Sequence, residues 1–334
     1  FLAMANASLV PSQTYVRKYP TKYRKAKTNL LDVVARFGSE DVCRDYLEKL
    51  RWPDAQAICP RCQSAATVAV PSRHQFDCLT CFFRFSVTSG TIMDDTKLPL
   101  WKWFAAVYLM VESKKSMSAN QIHRTIGTTY KTAWYLCHRI REAMEAMDSG
   151  PALFGIIELD ETMLARYKHK GGGRQNRGIP KGMDRIWVAG ALQRDGQVRL
   201  RHIPNVRKET IHAFVKSVAK DETEAFYTDE LKSYMGIADE NTRHETVNHS
   251  AEEWVVGDVH TNGIEGVWSL FKRSIIGAFH KISVKHLDAY LQEQEFRINN
   301  RNNQHAFRDT MKRIMSKQAL RYSDLTGHRP PESV

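Results

Sequence analysis

The feature that most constrains the fold of this chain is a pair of C-x2-C motifs. Cys59 and Cys62 form the first motif, Cys78 and Cys81 form the second, and fifteen residues separate them. Cysteines in this spacing are typical of two knuckles that together bind one Zn²⁺ tetrahedrally. Four thiolates leave no open coordination position, so we expect one structural zinc ion. We therefore predict a zinc ribbon at residues 56–95, a unit too small to fold on its own core.

The charge of the chain favours a nucleic acid partner. The 334 residues include 49 Lys and Arg against 37 Asp and Glu, a formal net charge of +12. The excess is concentrated at the front, with 21 basic against 13 acidic residues in residues 1–150 and 28 against 24 in the rest. Phosphate neutralisation is the commonest reason for such an excess, although a solvated basic surface is the alternative. No apolar run is long enough to span a membrane, so we expect a cytoplasmic protein without a membrane partner.

Two regions precede the predicted ribbon. Residues 1–28 form a polar arm, and its segment 17–27 contains six basic residues and no acid. Such an arm either follows a DNA backbone or remains a disordered tail. Residues 29–55 have the pattern of two short helices. In the second of them Cys43 lies on the apolar face, so we interpret it as a core residue rather than a metal ligand.

A helix-turn-helix is predicted for residues 96–148, after the ribbon. Its two helices are residues 118–126 and 129–147, with Gly127 at the turn. The second helix would enter a DNA groove with Lys131 near its reading end. Helical hairpins without DNA contacts are also common, so this alternative stays open.

The second half of the chain has the element order of an RNase H-like fold. Its order is three strands, a helix, a strand, a helix or turn, a strand and a final helix. The predicted strands are residues 153–159, 186–193, 197–203, 224–228 and 244–248. We therefore predict an α/β catalytic domain at residues 151–303, with a mixed sheet flanked by helices. A C-terminal helix and tail follow at residues 304–334.

Three acidic residues converge in this layout. Asp160 would end the central first strand, Asp229 would follow the neighbouring fourth strand, and Glu265 would lie on the final helix packed across them. Carboxylates at close range repel each other, and divalent cations relieve that repulsion. The expected ions are two Mg²⁺ (or Mn²⁺) per active site, bridged by Asp160, because these ions prefer oxygen ligands and support in-line phosphoryl transfer. Taken singly, each acid would be an ordinary surface residue.

Basic residues complete the predicted site. Lys272 lies two helical turns after Glu265 and shares its face, so we place it among the catalytic residues as a phosphate contact. A basic, glycine-rich loop at residues 166–185 follows the first acid and is interpreted as a DNA-contacting loop. The DNA-binding residues that we predict are Lys131, Arg174, His260, Lys272 and Arg273.

These motifs carry a resemblance to a known family. Residues 155–162 (GIIELDET), 227–230 (YTDE) and 260–273 (HTNGIEGVWSLFKR) are similar to the DDE transposases of bacterial insertion sequences related to eukaryotic Merlin elements. In that family a zinc ribbon precedes an ISXO-type transposase domain. The resemblance covers residues 30–310. It includes the 35 residues between Asp229 and Glu265 and the lysine seven positions after the glutamate.

The resemblance implies cut-and-paste transposition of an insertion sequence. A member of this family binds the terminal inverted repeats, hydrolyses DNA at the element ends and joins the freed 3′-hydroxyls to target DNA. It implies a homodimer or a larger assembly on DNA, located at the bacterial nucleoid. The alternatives are another RNase H-like DNA nuclease, such as a junction resolvase, and a domesticated DNA-binding regulator that kept the fold.

Overall fold

The computed structural model describes residues 29–145, 152–165, 185–247, 259–280 and 282–327. The predicted basic arm, Arg174 and the last seven residues of the tail lie outside the described residues. Among the residues described, no helix is both long enough and apolar enough to cross a membrane.

The chain begins with two capped helices. Helix α1 spans Leu30–Arg36 and α2 spans Glu40–Arg51. Ser39 accepts a hydrogen bond from the backbone N–H of Val42 at 3.3 Å, and an equivalent bond caps α1. These bonds satisfy backbone donors that the first helical turn leaves open. Cys43 is fully buried in α2, as the apolar pattern predicts.

The cysteine-rich segment forms a small antiparallel sheet. Its strands are β1 (Thr67–Val70), β2 (Gln75–Cys78) and β3 (Arg84–Phe85), paired in chain order. Trp52, at the end of α2, packs edge-on against Phe76 at 5.1 Å between ring centroids. This aromatic contact fixes the ribbon against the N-terminal helices.

Three helices follow the ribbon: α3 (Leu100–Glu112), α4 (Ala119–Ile126) and α5 (Tyr130–Met144). Gly127 ends α4 in the left-handed conformation, with φ 61°. Thr129 then caps α5 by accepting the Thr132 N–H at 3.2 Å. Most of α5 is buried beyond its first turn, whereas Tyr130 and Lys131 are exposed. The exposed surface of α5 is therefore mainly its N-terminal turn.

The second half contains a five-stranded mixed sheet. Its strands are β4 (Leu153–Ala165), β5 (Arg185–Gln193), β6 (Val198–Ile203), β7 (Ala219–Thr228) and β8 (Arg243–Thr246). The spatial order is β6-β5-β4-β7-β8. Strand β4 is antiparallel to β5 and parallel to β7, and β8 is parallel to β7. The predicted α/β class, the mixed sheet and its flanking helices are confirmed.

Strand β4 is longer than its sequence pattern indicates. The prediction ends this strand before Asp160, but the strand continues to Ala165. Strand β5 pairs with it throughout that extension and places Gly190 opposite Asp160. Strand β7 pairs with it only as far as Glu158. Asp160 therefore lies in the middle of β4, at the point where one neighbouring strand ends.

Helices cover both faces of this sheet. They are α6 (Lys208–Val218), on one face, and α7 (Asn262–Ser274) and α8 (Leu287–Asn299), on the other. The apolar side chains of α7 include Ile264, Trp268 and Phe271, all buried as its periodicity predicts.

Polar side chains of α8 form hydrogen bonds with the backbone of the edge strand β6. Asn299 both accepts the Val198 N–H at 2.8 Å and donates to the Val198 carbonyl at 3.1 Å. Glu295 accepts the Leu200 N–H at 3.0 Å. These bonds satisfy backbone groups that an edge strand otherwise exposes for pairing with another chain.

The C-terminal helix α9 (Ala306–Ser316) packs into the first half of the chain. Met311 and Ile314 are fully buried in the same hydrophobic cluster as Phe104 of α3. A short helix, α10 (Tyr322–Thr326), follows. Helix α8 connects the two halves through a buried ion pair in which Arg141 of α5 donates to Glu293 at 2.7 Å.

Candidate active site and metal centres

The four ribbon cysteines have the geometry of a tetrahedral metal site. Their sulfur atoms all lie within 4.8 Å of one another. The Sγ atoms of Cys59 and Cys81 are 3.7 Å apart, and those of Cys62 and Cys78 are 3.5 Å apart. A tetrahedron with Zn–S bonds of about 2.3 Å has edges of about 3.8 Å, so these two distances are close to those of a four-thiolate zinc site.

The thiols differ in their electrostatic environments. The backbone N–H of Cys81 stabilises the Cys78 thiolate and lowers the pKa of Cys78 to about 6. Burial raises the pKa of Cys43 and of Cys137 to about 12. These two thiols therefore stay protonated and inert, as expected of core cysteines.

A second group of potential ligands lies at the centre of the five-stranded sheet. Carboxylate oxygens of Asp160, Glu161 and Asp229 lie within 4.8 Å of one another. Asp229 directly follows β7, and the β4–β7 register places it next to Asp160. Because β7 ends at Thr228, the side chains can meet where the strand pairing stops.

Hydrogen bonds orient each of these carboxylates. Asp160 accepts the backbone N–H of Glu161 at 2.8 Å and the indole Nε1–H of Trp268 at 2.9 Å. Asp229 accepts the Leu231 N–H at 3.1 Å. Glu161 accepts the Tyr234 hydroxyl at 2.8 Å. Together these bonds join both strands, α7 and the turn after β7 into one acidic site.

The carboxylates of this site repel one another. Burial raises the pKa of Asp160 to about 7, and the charges of Glu161 and Asp229 act in the same direction. Burial also raises the pKa of Glu161 above its usual range. Close, buried carboxylates of this kind are suited to a hard divalent cation, whose preferred ligands are carboxylate oxygens.

Comparisons with known proteins identify the family. Residues 152–299 match the model of the ISXO2-like transposase domain, and residues 38–82 match the transposase zinc-ribbon domain. The chain belongs to this transposase family. The first match includes both aspartates, Glu265 and Lys272, and the second includes all four ribbon cysteines.

Two relatives support the assignment. One is an uncharacterized protein in the transposable element ISH50 of Halobacterium salinarum, 26% identical over 281 residues that cover 79% of this chain and 92% of the relative. The other is an uncharacterized transposase-like protein of Haemophilus influenzae, 31% identical over 98 residues that cover 29% of this chain and 77% of the relative. No solved structure gave a significant match.

Glu265 of the transposase lies on α7, apart from the three clustered carboxylates. Its side chain is exposed in the first turns of the helix, with Oε1 3.5 Å from Thr261 Oγ1. Trp268, one turn further on, makes the bond to Asp160 that holds α7 against the site. Gly190 makes this approach possible, since a Cβ there would lie 2.6 Å from the Trp268 ring.

The predicted basic residues occupy several surfaces. Lys272 and Arg273 are exposed on α7, and Arg273 donates to the Ser269 carbonyl at 3.1 Å. Lys131 is exposed, with its ammonium 4.8 Å from the centre of the Tyr322 ring. His260 is half-buried, with Nδ1 3.4 Å from a carboxylate oxygen of Glu158.

Sequence reasoning missed two acidic residues of this site. Glu161 follows Asp160 directly, so strand alternation assigns it to the opposite face and away from the cluster. Glu158 is 1% exposed and lies beneath the start of α7. The available signal was the density of acids in Glu158-Leu-Asp160-Glu161, which is unusual inside a buried strand.

Proposed function

We propose that this transposase cuts DNA at the ends of an insertion sequence and joins them to target DNA, with Asp160, Asp229 and Glu265 as its catalytic acids. The observation that carries the proposal is the convergence of Asp160 and Asp229 at adjacent strands beneath α7. Family membership supplies the substrate class, because the matched domain is a transposase domain.

The sheet supports an RNase H-like architecture for the catalytic domain. Three consecutive antiparallel strands, β4 to β6, are followed by a helix and by two strands parallel to β4. The first strand is central, and the helix carrying the last acid crosses it. We propose the domain limits given by the sequence pattern, with residues 151–303 as the catalytic domain.

The carboxylate cluster has the ligand chemistry that Mg²⁺ and Mn²⁺ prefer, and we propose two such ions per active site. We assign Asp160, Asp229 and Glu265 as ligands, and the proximity of Glu161 makes it an additional candidate. Bound divalent ions in such sites activate the attacking oxygen and stabilise the leaving oxygen. Trp268 fixes the orientation of the Asp160 carboxylate, and we propose that Lys272 contacts a DNA phosphate.

DNA recognition is assigned to the first half of the chain. We propose that the zinc ribbon at residues 56–95, with one structural Zn²⁺, and a helix-turn-helix formed by α4 and α5 bind the terminal inverted repeats. Lys131 is exposed in the first turn of α5, and we propose it as a DNA contact of this module. The arm at residues 1–28, Arg174, His260 and Arg273 are proposed as further contacts. Catalysis on two ends requires a homodimer or a larger assembly.

Strand transfer of pre-cut element ends in the presence of Mg²⁺ or Mn²⁺ tests this function. We expect Asp160→Asn, Asp229→Asn and Glu265→Gln each to abolish transfer, because each removes a charged ligand without changing the side-chain shape. The control is Glu224→Gln, which removes one partner of an exposed ion pair with Arg243. Active enzyme in all three active-site variants would show that the acids are assigned wrongly. An inactive wild type on every transposon end tested would refute the function itself.

A further inference from the structure

A buried carboxylate that the proposed chemistry does not use lies under the N-terminus of α7. Glu158 is on β4, two residues before Asp160, and is 1% exposed. We propose that Glu158, held by Arg194, is a positioning residue that fixes α7, and with it Glu265, relative to Asp160. The functional consequence rests on the proposed transposase activity, whereas the structural one does not.

Glu158 caps a helix that lacks a cap of its own. The side chain of Thr261, at the N-cap position of α7, makes no capping hydrogen bond. Instead, Oε2 of Glu158 accepts the backbone N–H of Ile264 at 3.0 Å. A carboxylate at this position also interacts favourably with the positive end of the helix dipole. The side chain that caps the N-terminus of α7 therefore comes from a strand of the sheet.

A glycine makes this contact possible. A Cβ on Gly263 would lie 2.6 Å from Oε2 of Glu158 and 2.7 Å from Cδ2 of Leu192. Real side chains do not tolerate such distances, so another residue at this position would displace the helix from the carboxylate. The close approach of α7 thus depends on Gly263, next to the bonded amide.

The second contact of α7 with β4 sets the register. Glu158 binds the backbone of Ile264, and Asp160 binds the side chain of Trp268. The two carboxylates are two residues apart on the strand, and their partners are four residues apart on the helix. Two strand residues span about 6.6 Å and four helical residues about 6 Å, so both bonds form together at one relative position. Glu265 lies within the turn that these two bonds delimit.

Arg194 connects Glu158 to the other elements of the site. Its Nε is 3.2 Å from Oε1 of Glu158, and its Nη2 donates to the His260 carbonyl at 3.3 Å. Its guanidinium lies 4.7 Å from the ring centre of Tyr227, which is two residues before Asp229. The ion pair therefore contacts the three elements that carry Asp160, Asp229 and Glu265. Removing either charge breaks an ion pair whose carboxylate is almost fully buried.

The experiment compares Glu158→Gln, Arg194→Gln and Gly263→Ala with wild type and with Glu224→Gln, the same substitution in an exposed ion pair. Amide hydrogen exchange measures the stability of α7, with the ribbon as an internal reference. Mn²⁺ titration followed by electron paramagnetic resonance measures metal affinity. Strand transfer is measured over a range of Mn²⁺ concentrations. Zinc content and circular dichroism report whether each variant is folded.

We expect faster exchange in α7 and unchanged exchange in the ribbon for all three variants. Mn²⁺ affinity should fall about 10- to 100-fold, as when groups that support metal ligands are removed. Higher Mn²⁺ should partly restore strand transfer, which a general loss of folding would not allow. Glu224→Gln should match wild type in every measurement.

A folded Glu158→Gln protein with wild-type α7 exchange and Mn²⁺ affinity would overturn the proposal. If Glu158→Gln does not fold, the same criterion applies to Arg194→Gln and Gly263→Ala. Failure of all three variants to fold would overturn the positioning role and leave Glu158 and Arg194 with a purely structural one. A wild type without Mn²⁺ binding or strand transfer would instead refute the proposed function. The exchange data would still decide whether Glu158 holds α7.

Discussion

Replacing Gly190 with alanine tests whether the position of α7 on the sheet controls the carboxylate site. Gly190 lies on β5 opposite Asp160, beneath the buried face of α7. An added Cβ would lie 2.6 and 2.7 Å from two ring carbons of Trp268 and 2.9 Å from Cδ1 of Ile264. Ordinary carbon contacts are about 3.5–4.0 Å, so α7 must move away by about 1 Å.

The expected magnitudes follow from this displacement. Overpacking of a well-packed interior costs about 1–3 kcal/mol of unfolding free energy. The movement also separates the Trp268 indole from Asp160 and shifts Glu265. A misplacement of about 1 Å can reduce catalysis about 100-fold. We therefore expect Gly190→Ala to lower both the urea midpoint and, more severely, the rate of strand transfer.

Gly266→Ala is the matched stability control, because it lies on α7 itself and its Cβ would meet nothing within 4 Å. Alanine favours a helix over glycine by about 1 kcal/mol, so this variant should be as stable as wild type or more stable. Equilibrium urea unfolding measures both variants. If Gly190→Ala has the wild-type midpoint and the wild-type transfer rate, the reasoning about α7 is refuted.

Three further predictions concern the metal and the buried charges. Elemental analysis should find about one zinc per chain, and Cys62→Ser should lose it together with protease resistance of the ribbon. Glu293→Gln should cost about 3–5 kcal/mol in urea unfolding, because it leaves Arg141 and Arg297 unpaired in the interior; a change below about 1 kcal/mol would contradict this. His138 is buried beside Arg141, and burial lowers its pKa to about 3. Its neutral form thus stabilises the protein above the unfolded pKa near 6.5, and about 2 kcal/mol should be lost on acidification from pH 7 to pH 5. His138→Phe should remove that part of the pH dependence of the unfolding free energy, and an identical pH dependence in both proteins would show that His138 does not contribute.

The sequence predicted the elements better than their lengths and partners. Cysteine spacing indicated the four-thiolate site, because metal geometry imposes a spacing that few other constraints produce. Periodicity indicated all five strands of the sheet and the helix that carries Glu265. The continuation of β4 to Ala165 was missed, because polar residues in Glu158-Leu-Asp160-Glu161-Thr162 resemble the end of a strand. Pairing with β5 keeps that segment extended, and pairing is a tertiary property.

Packing partners were less accessible to sequence reasoning. The apolar face of α9 is visible in the sequence, but nothing there indicates that Met311 and Ile314 join the same buried cluster as Phe104, far away along the chain. The role of Glu158 was hidden for a related reason. Its partners Arg194 and Ile264 come from two other elements, so only the assembled fold distinguishes this buried carboxylate from the acids around it.

The three proposed catalytic acids differ in the contacts that fix their positions. Asp160 lies on the central strand and accepts two hydrogen bonds, and Asp229 follows the adjacent strand and is fixed by the Leu231 amide. Glu265 is exposed on a helix that reaches the sheet through side-chain contacts, including the Glu158 cap and the Trp268 bond. The two aspartates are therefore set by strand pairing, whereas the position of the glutamate depends on how α7 packs. Because local motion follows the weakest set of contacts, binding of metal and DNA should slow hydrogen exchange in α7 more than in β4. Equal protection of both elements would show that the glutamate is as rigidly held as the aspartates before DNA binds.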